Sequence, residues 1–266
     1  MGRYAPHVKP SISLVVPMYN EEDNIAHALG VATDALNEFA REHEVIIVDD
    51  ASTDRSPEIV KRIAAADPRI RVVRHDRNRK LGASLRDGFA AATKELVLYM
   101  DADLPFDPRE IGRAISAMEV TRADMIAAYR YDRTGEGLRR ALYSYVYNGF
   151  IGVLFGWPHR DINFSFKLMR RDLLDAIELR AEGSLISAEL ITKAKNLGFV
   201  VQQIGLDYFP RTRGRSTLSS MGVIVKILRE LIDLYPEMKR PRRRAEPRGA
   251  ALGTAAAAPA EDRSAS

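Results

Sequence analysis

The sequence predicts an α/β fold with a mostly parallel central sheet flanked by helices, and three observations predict it. Short apolar runs without helical spacing alternate with helical patterns through the first half of the chain. Three of those runs end in polar clusters: Pro17-Met18-Tyr19-Asn20-Glu21, Asp49-Asp50 and Asp101-Ala102-Asp103. In a sheet of this kind the carboxyl ends of the strands share one rim, and ligands bind there. A length of 266 residues with 46% hydrophobic content is ample for one large domain.

The elements follow in order. Ile12 to Pro17 is a first strand, and a first helix runs from Glu21 onward. Glu44 to Asp50 is a second strand, and Ser52-Thr53-Asp54 caps a helix reaching about Ala66. Ile70 to Arg74 is a third strand, and Gly82 to Thr93 is helical. Glu95 to Met100 is the central buried strand, with an acidic turn and a helix after Pro108. The second half is less regular. It reads as a strand at Asp124 to Ala128, ending at Tyr129-Arg130-Tyr131, and an apolar helix from Leu138 to Phe155. A strand at Phe164 to Met169, a helix at Ile186 to Leu197 and a strand at Phe199 to Ile204 follow. A last helix spans about Leu218 to Tyr235, with Met221, Ile224, Val225, Leu228, Leu231, Ile232 and Tyr235 on one face. Lys226, Arg229, Glu230 and Asp233 lie opposite. The domain is therefore expected over 1–235, and the Pro/Arg-rich then Ala-rich segment 236–266 is expected to be disordered.

Composition removes several classes of function. With no cysteine, disulfides, thiolate catalysis and Cys-bound zinc are excluded. The five histidines show no metal-ligand spacing, and no Gly-x-Ser-x-Gly elbow is present. Seven Lys/Arg against three Asp/Glu from Lys239 onward account for the whole net charge of +4. A body without a basic excess of its own argues against nucleic acid as a partner. Met1 to Ser11 has no apolar leader core, and no apolar run reaches the roughly 18 residues of a spanning helix. Leu142 to Trp157 comes nearest, and it is broken by Ser, Asn and Gly.

The candidate site residues are polar groups at strand ends. Asp101 and Asp103 are one residue apart, a spacing that lets two carboxylates share a hard ion such as Mg²⁺ or Mn²⁺. The same pair can equally be an acidic turn capping a helix. Asp50 can accept hydrogen bonds from a ribose or a base, or can cap the following helix. No Gly-x-Gly-x-x-Gly or P-loop follows the first strand, so a metal would have to offset any diphosphate charge. Arg211, Arg213 and Ser216 lie in a Gly-containing loop whose guanidiniums suit phosphate oxygens, or are simply solvated. Arg140 and Ser144, four apart, share a helix face and can clamp one anion or form an ordinary polar edge. Asp161 and Glu189 are the remaining acidic candidates, Glu189 in an apolar context where a carboxylate has a partner or a task.

In their order along the chain, these motifs resemble a family-2 inverting glycosyltransferase of GT-A fold, a Rossmann-like architecture. The resemblance is to dolichyl-phosphate mannosyltransferases and related polyprenyl-phosphate sugar transferases. It runs from about Ser11 to Ser216 through Val16-Pro17-Met18-Tyr19-Asn20-Glu21, Val48-Asp49-Asp50-Ala51-Ser52-Thr53-Asp54 and Met100-Asp101-Ala102-Asp103-Leu104. Tyr129-Arg130-Tyr131, Asp161-Ile162-Asn163-Phe164-Ser165-Phe166-Lys167-Leu168 and the Arg-x-x-Gly-x-Ser pattern at Arg211, Gly214 and Ser216 continue it. The resemblance implies that Pro17, Tyr19, Glu21 and Asp50 hold a GDP- or UDP-sugar, and that Asp101 and Asp103 meet the metal and diphosphate. It also implies that Arg130, Arg140 and Ser144 meet an acceptor phosphate, and that Arg211 braces the donor phosphates. Phe164 and Lys167 depart from the Gly and Arg of mannosyltransferases, and Thr217 replaces a Lys, which bears on the sugar and the acceptor.

A phosphate acceptor is already an anion at neutral pH and needs cations rather than a base. A hydroxyl acceptor needs a base, for which Glu189 or Asp161 is the candidate. The expectation is metal-dependent transfer to a polyprenyl phosphate. The alternatives are a transferase acting on a glycan or metabolite hydroxyl, and an idle nucleotide-binding domain. A lipid acceptor implies a peripheral position on the cytoplasmic face of a membrane. The basic tail, the apolar face of the last helix or a separate membrane subunit would then provide the contact.

Overall fold

The computed structural model describes residues 8–131, 138–156, 159–209 and 221–239, without the side chains of 138–144 and 221–228. Seven strands form one sheet: β1 (Ser11–Met18), β2 (Glu42–Asp49), β3 (Ile70–Arg74), β4 (Leu96–Met100), β5 (Met125–Arg130), β6 (Phe166–Arg170) and β7 (Val201–Leu206). Their order is β3-β2-β1-β4-β6-β5-β7. The β3-β2-β1-β4 half is parallel, as is the β5–β7 pair, while β6 runs antiparallel to both β4 and β5. The sheet is therefore mostly parallel, with helices on both faces.

Strand residues alternate between two cores, as a strand buried on both sides requires. Ile12, Leu14, Val16, Val45, Ile47, Leu96, Leu98 and Met100 face one layer. That layer holds α1 (Ile25–Phe39), α2 (Ser56–Ala66) and α4 (Glu110–Thr121). Val15, Ile46, Val48, Val97 and Tyr99 face the other, with α3 (Lys80–Ala91), α5 (Leu138–Phe155), α6 (Arg171–Ala176), α7 (Ile186–Asn196) and α8 (Met221–Lys239).

Four elements differ from the sequence expectation, each for a local reason. Phe164 belongs to a turn rather than to β6, because its N–H donates to the Asp161 carbonyl. β7 starts at Val201 rather than Phe199: Gly198 adopts φ +81 and the Phe199 N–H caps α7 on Ala194. The short α6 follows β6 directly and has too few residues to show a period. α8 continues through Pro236 to Lys239, past the expected helix end at Tyr235. The tail beyond it, 240–266, lies outside the described residues.

α8 packs on the body over its C-terminal half. Leu231 and Met238 are buried in the second core with Leu234 against it, and Tyr235 meets Phe155. Ile232 is exposed, and Glu230, expected on the polar face, is half-buried and accepts the N–H groups of Glu182 and Gly183. Backbone meets Oε1 of Glu230 here, which periodicity alone does not reveal.

His159, in the chain between α5 and β6, is buried, and burial together with Lys195 and Lys167 holds its imidazole down to about 4. The unfolded chain takes up a proton as pH falls below 6.5, while the folded chain does not. Stability is therefore complete above pH 6.5 and is lost progressively toward pH 4. By pH 5 the loss is about 2 kcal/mol. His159→Gln should shrink the difference in urea-unfolding free energy between pH 7 and pH 5 by about that amount. An unchanged difference would show that His159 does not resist protonation.

Candidate active site

β1 and β4 are adjacent, yet the chain leaves them in opposite directions across the sheet, so the crevice beyond their carboxyl ends is the topological switch point. Tyr19, 47% exposed, Asn20 and Glu21 leave β1 there. Asn20 takes φ 55 and its side-chain carbonyl accepts the Thr53 N–H, while Ser52 and Ser56 accept the N–H groups of Asn20 and Glu21. The loop after β2 is thereby stitched to the loop after β1. Ser52 serves this junction and does not cap α2; it is Asp54 that accepts the Ser56 N–H.

Asp50 is buried, and its carboxylate is committed inside the protein. It accepts the N–H groups of Arg79 at 2.6 Å and Lys80 at 2.9 Å, and faces His75 Nδ1 at 2.8 Å. His75 Nε2 meets Asp87 at 2.9 Å, and Arg79 pairs with the same carboxylate at 2.7 Å. Asp50 thus anchors the N-terminus of α3 at the rim. The segment Asp76–Lys80 was not among the expected site residues. Its signal in the sequence is a short polar loop at the carboxyl end of a third parallel strand, which places it on the same rim.

Asp101 and Asp103 lie just past β4, both half-buried, with Ala102 buried between them. They occupy a turn rather than the strand itself, and Leu104 at φ 48 redirects the chain. The Tyr99 hydroxyl donates to Asp101 Oδ1 at 2.9 Å and orients that carboxylate. Among the described residues no group of three His, Cys, Asp or Glu could hold a metal. A hard ion that keeps waters and substrate phosphates needs only one or two protein carboxylates, and Asp101 and Asp103 fit that donor set.

The antiparallel β6 brings the second half of the chain to this rim. Phe166 faces Met100, so the turn before β6 lies beyond the carboxyl end of β4. Asp161, 2% exposed, takes the Arg130 guanidinium in two bonds, Nε at 2.6 Å and Nη2 at 2.9 Å. Arg130 also stacks between Phe164 and Tyr208, 5.6 and 5.1 Å from the ring centroids. The two were expected separately, as an acceptor ligand and a base; the structure makes them one bidentate pair. After β7 the chain crosses the rim, where the Phe209 N–H donates to the Pro105 carbonyl. Arg211, Arg213 and Ser216 lie outside the described residues, as do the side chains of Arg140 and Ser144, which sit on the first turns of α5.

Glu189 is not a rim residue. Fully buried on α7, it accepts the N–H groups of Arg180 and Ala181 and the ammonium of Lys193 at 2.6 Å. Its task is to hold the 180–182 segment, whose Glu182 carbonyl accepts the Gly82 N–H at 2.7 Å. A side chain at Gly82 would run into the Ala181 carbonyl oxygen, so α3 seats there only with glycine. The apolar context of Glu189 implied a partner; the partners are two backbone N–H groups and the Lys193 ammonium.

The comparisons with known proteins agree with this layout. The model of Glycosyl transferase family 2 matches residues 13–178. The glycosyltransferase AglD of Haloferax volcanii is 30% identical over 207 residues, which cover 75% of this chain and 33% of that protein. The undecaprenyl-phosphate 4-deoxy-4-formamido-L-arabinose transferase of Edwardsiella ictaluri is 33% identical over 168 residues, covering 62% and 51%. The dodecaprenyl-phosphate galacturonate synthase of Rhizobium johnstonii is 28% identical, covering 68% and 54%. The chain thus spans between a third and about half of the length of these curated relatives. Among solved structures, glucosyl-3-phosphoglycerate synthase of Mycobacterium tuberculosis with Mn²⁺, uridine diphosphate and phosphoglyceric acid shares the fold. It does so at TM-score 0.66 and 19% identity, over 85% of this chain and 78% of that one. By the extent of the family match, and by the strand-end motifs it encloses, the chain belongs to Glycosyl transferase family 2.

Proposed function

We propose that this protein transfers a sugar, with inversion, from a GDP- or UDP-sugar to a polyprenyl phosphate of dolichyl type. The observation that carries the reading is the sharing of one rim by the Asp101–Asp103 turn and the Arg130–Asp161 pair. A carboxylate pair for a metal-bound diphosphate then faces a guanidinium for an acceptor anion. Two relatives named for undecaprenyl and dodecaprenyl phosphates support the acceptor class.

In this reading Pro17, Tyr19 and Glu21 receive the nucleotide at the β1 end, and Asp50 shapes that end by anchoring α3. Asp101 and Asp103 hold Mg²⁺ or Mn²⁺, which when bound offsets the charge growing on the diphosphate. An oxygen of the acceptor phosphate attacks the anomeric carbon; the bond to the diphosphate oxygen breaks, and its electron pair leaves with the nucleotide. The attacking oxygen carries no proton to remove, so neither Glu189 nor Asp161 is needed as a base. Asp161 instead fixes the guanidinium of Arg130, and Arg140, Ser144, Arg211, Arg213 and Ser216 complete the phosphate contacts. Tyr145, Val146, Phe150 and Val153 are exposed along α5, the helix that bears Arg140 and Ser144. No described helix is long and apolar enough to cross a membrane; such faces, the basic tail or a separate subunit are the proposed contacts with the lipid surface.

Asp103→Asn should fold normally, because its side chain sits in a rim turn outside the core, and should lose about 100-fold or more in turnover. Activity of this variant equal to wild type in the presence of chelator would remove the metal assignment.

Arg130→Ala leaves Asp161 buried without its guanidinium and should cost about 3–5 kcal/mol of stability. Arg130→Lys keeps a cation there and is the cleaner probe. It should raise KM for the polyprenyl phosphate several-fold and leave donor affinity nearly unchanged. Equal losses for donor and acceptor would assign Arg130 to the donor or to the fold.

For the tail, the cut belongs after Lys239, since Met238 is buried and its carbonyl accepts from Asn196. Removing 240–266 should leave donor hydrolysis intact and release the protein from anionic vesicles, each lost cation contributing about 1 kcal/mol. Equal sedimentation of the full-length and shortened chains would move the anchor elsewhere.

A further inference from the structure

Lys167 is buried to 1% exposure in β6, the strand that runs against both of its neighbours. Its Nζ donates to the Phe164 carbonyl at 2.7 Å and lies 5.4 Å above the Tyr99 ring. Tyr99 faces Lys167 directly across the β4–β6 ladder, and the Tyr99 hydroxyl donates to Asp101. On the other side, the Phe164 N–H closes its turn on the Asp161 carbonyl, and Asp161 carries Arg130. One ammonium therefore touches both arms of the site. Burial pulls it down to about 8 despite the charges of Asp161 and Asp101. A cation that burial disfavours adds nothing to stability that an apolar side chain of similar length would not supply. Its physical account lies in the site.

We propose that Lys167 is a positioning residue for the donor diphosphate. Seated between the Tyr99 ring on one side and the Phe164 carbonyl on the other, it sets a positive charge beneath the rim. The inference rests on the donor half of the function proposed above and is independent of the acceptor.

Charge separates this role from mere packing. Mn²⁺ alone is a cation, whereas Mn²⁺ with a nucleoside diphosphate is a net anion. Loss of a buried positive charge leaves binding of the bare ion undiminished and weakens binding of the complex; a packing defect weakens both. The test compares wild type, Lys167→Met and Lys167→Arg by thermal unfolding and by calorimetric titration. The titrants are Mn²⁺ alone, then UDP and GDP in saturating Mn²⁺. Lys167→Met should melt no lower than wild type, bind Mn²⁺ at least as well, and bind the nucleotide about tenfold more weakly. Lys167→Arg should recover nucleotide binding to within about threefold. Unchanged nucleotide affinity in Lys167→Met would overturn the proposal, as would parallel losses of Mn²⁺, nucleotide and melting temperature. A wild-type protein that binds neither UDP nor GDP would overturn the donor reading and the role of Lys167 with it.

Discussion

The site depends on the reversed direction of β6. Were β6 parallel to β4, its preceding turn would lie at the opposite edge of the sheet, and Asp161 would be far from the rim that carries Asp101. Because Met100 pairs with Phe166 in antiparallel register, the chain enters β6 where β4 ends. β5 runs against β6 in turn, so Arg130 emerges at the same edge, and β7, parallel to β5, delivers the chain after Leu206 there as well. One inverted strand thus gathers groups that are far apart in the sequence.

Gathering charge at one buried edge is expensive, and the structure meets the cost with hydrogen bonds rather than with simple ion pairs. Asp50 is answered by two backbone N–H groups and a histidine, Glu189 by two N–H groups and Lys193, Asp161 by a two-bond guanidinium. In the first two cases the carboxylate holds a backbone segment in place: the start of α3 and the 180–181 segment. These two segments also meet each other at Gly82. The donor end of the rim is therefore braced from behind by carboxylates that never reach solvent.

The first half of the fold was legible because each strand there is a short apolar run stopped by a polar cluster, and parallel winding puts those stops on one rim. The positions of Asp101, Asp103 and the β1 end along that rim were legible for the same reason. Asp50 and Glu189 were legible as important carboxylates but not as to their use. Their partners are backbone N–H groups 29 or 30 residues away for Asp50, and eight or nine away in a loop for Glu189. No side-chain pattern encodes those backbone partners, whereas Lys193, four residues on from Glu189 along α7, is at a spacing the sequence shows. The pairing of Arg130 with Asp161 required the strand order, which the irregular second half conceals. α8 was placed correctly as a helix, yet its Pro236 suggested a stop that packing overrides. The burial of Leu231 and Met238 on either side of that proline offsets the lost backbone hydrogen bond.

The surroundings of Asp161 and Glu189, the two carboxylates considered as bases, bear on the proposed acceptor. Asp161, at the rim, is held by a guanidinium, and Glu189, away from the rim, by backbone and ammonium. A hydroxyl nucleophile that used Asp161 as its base would compete with the Arg130 guanidinium for that carboxylate. A phosphate nucleophile requires only that the guanidinium remain where Asp161 puts it. Under the proposed function, an acceptor that arrives already ionised leaves the Arg130–Asp161 pair intact.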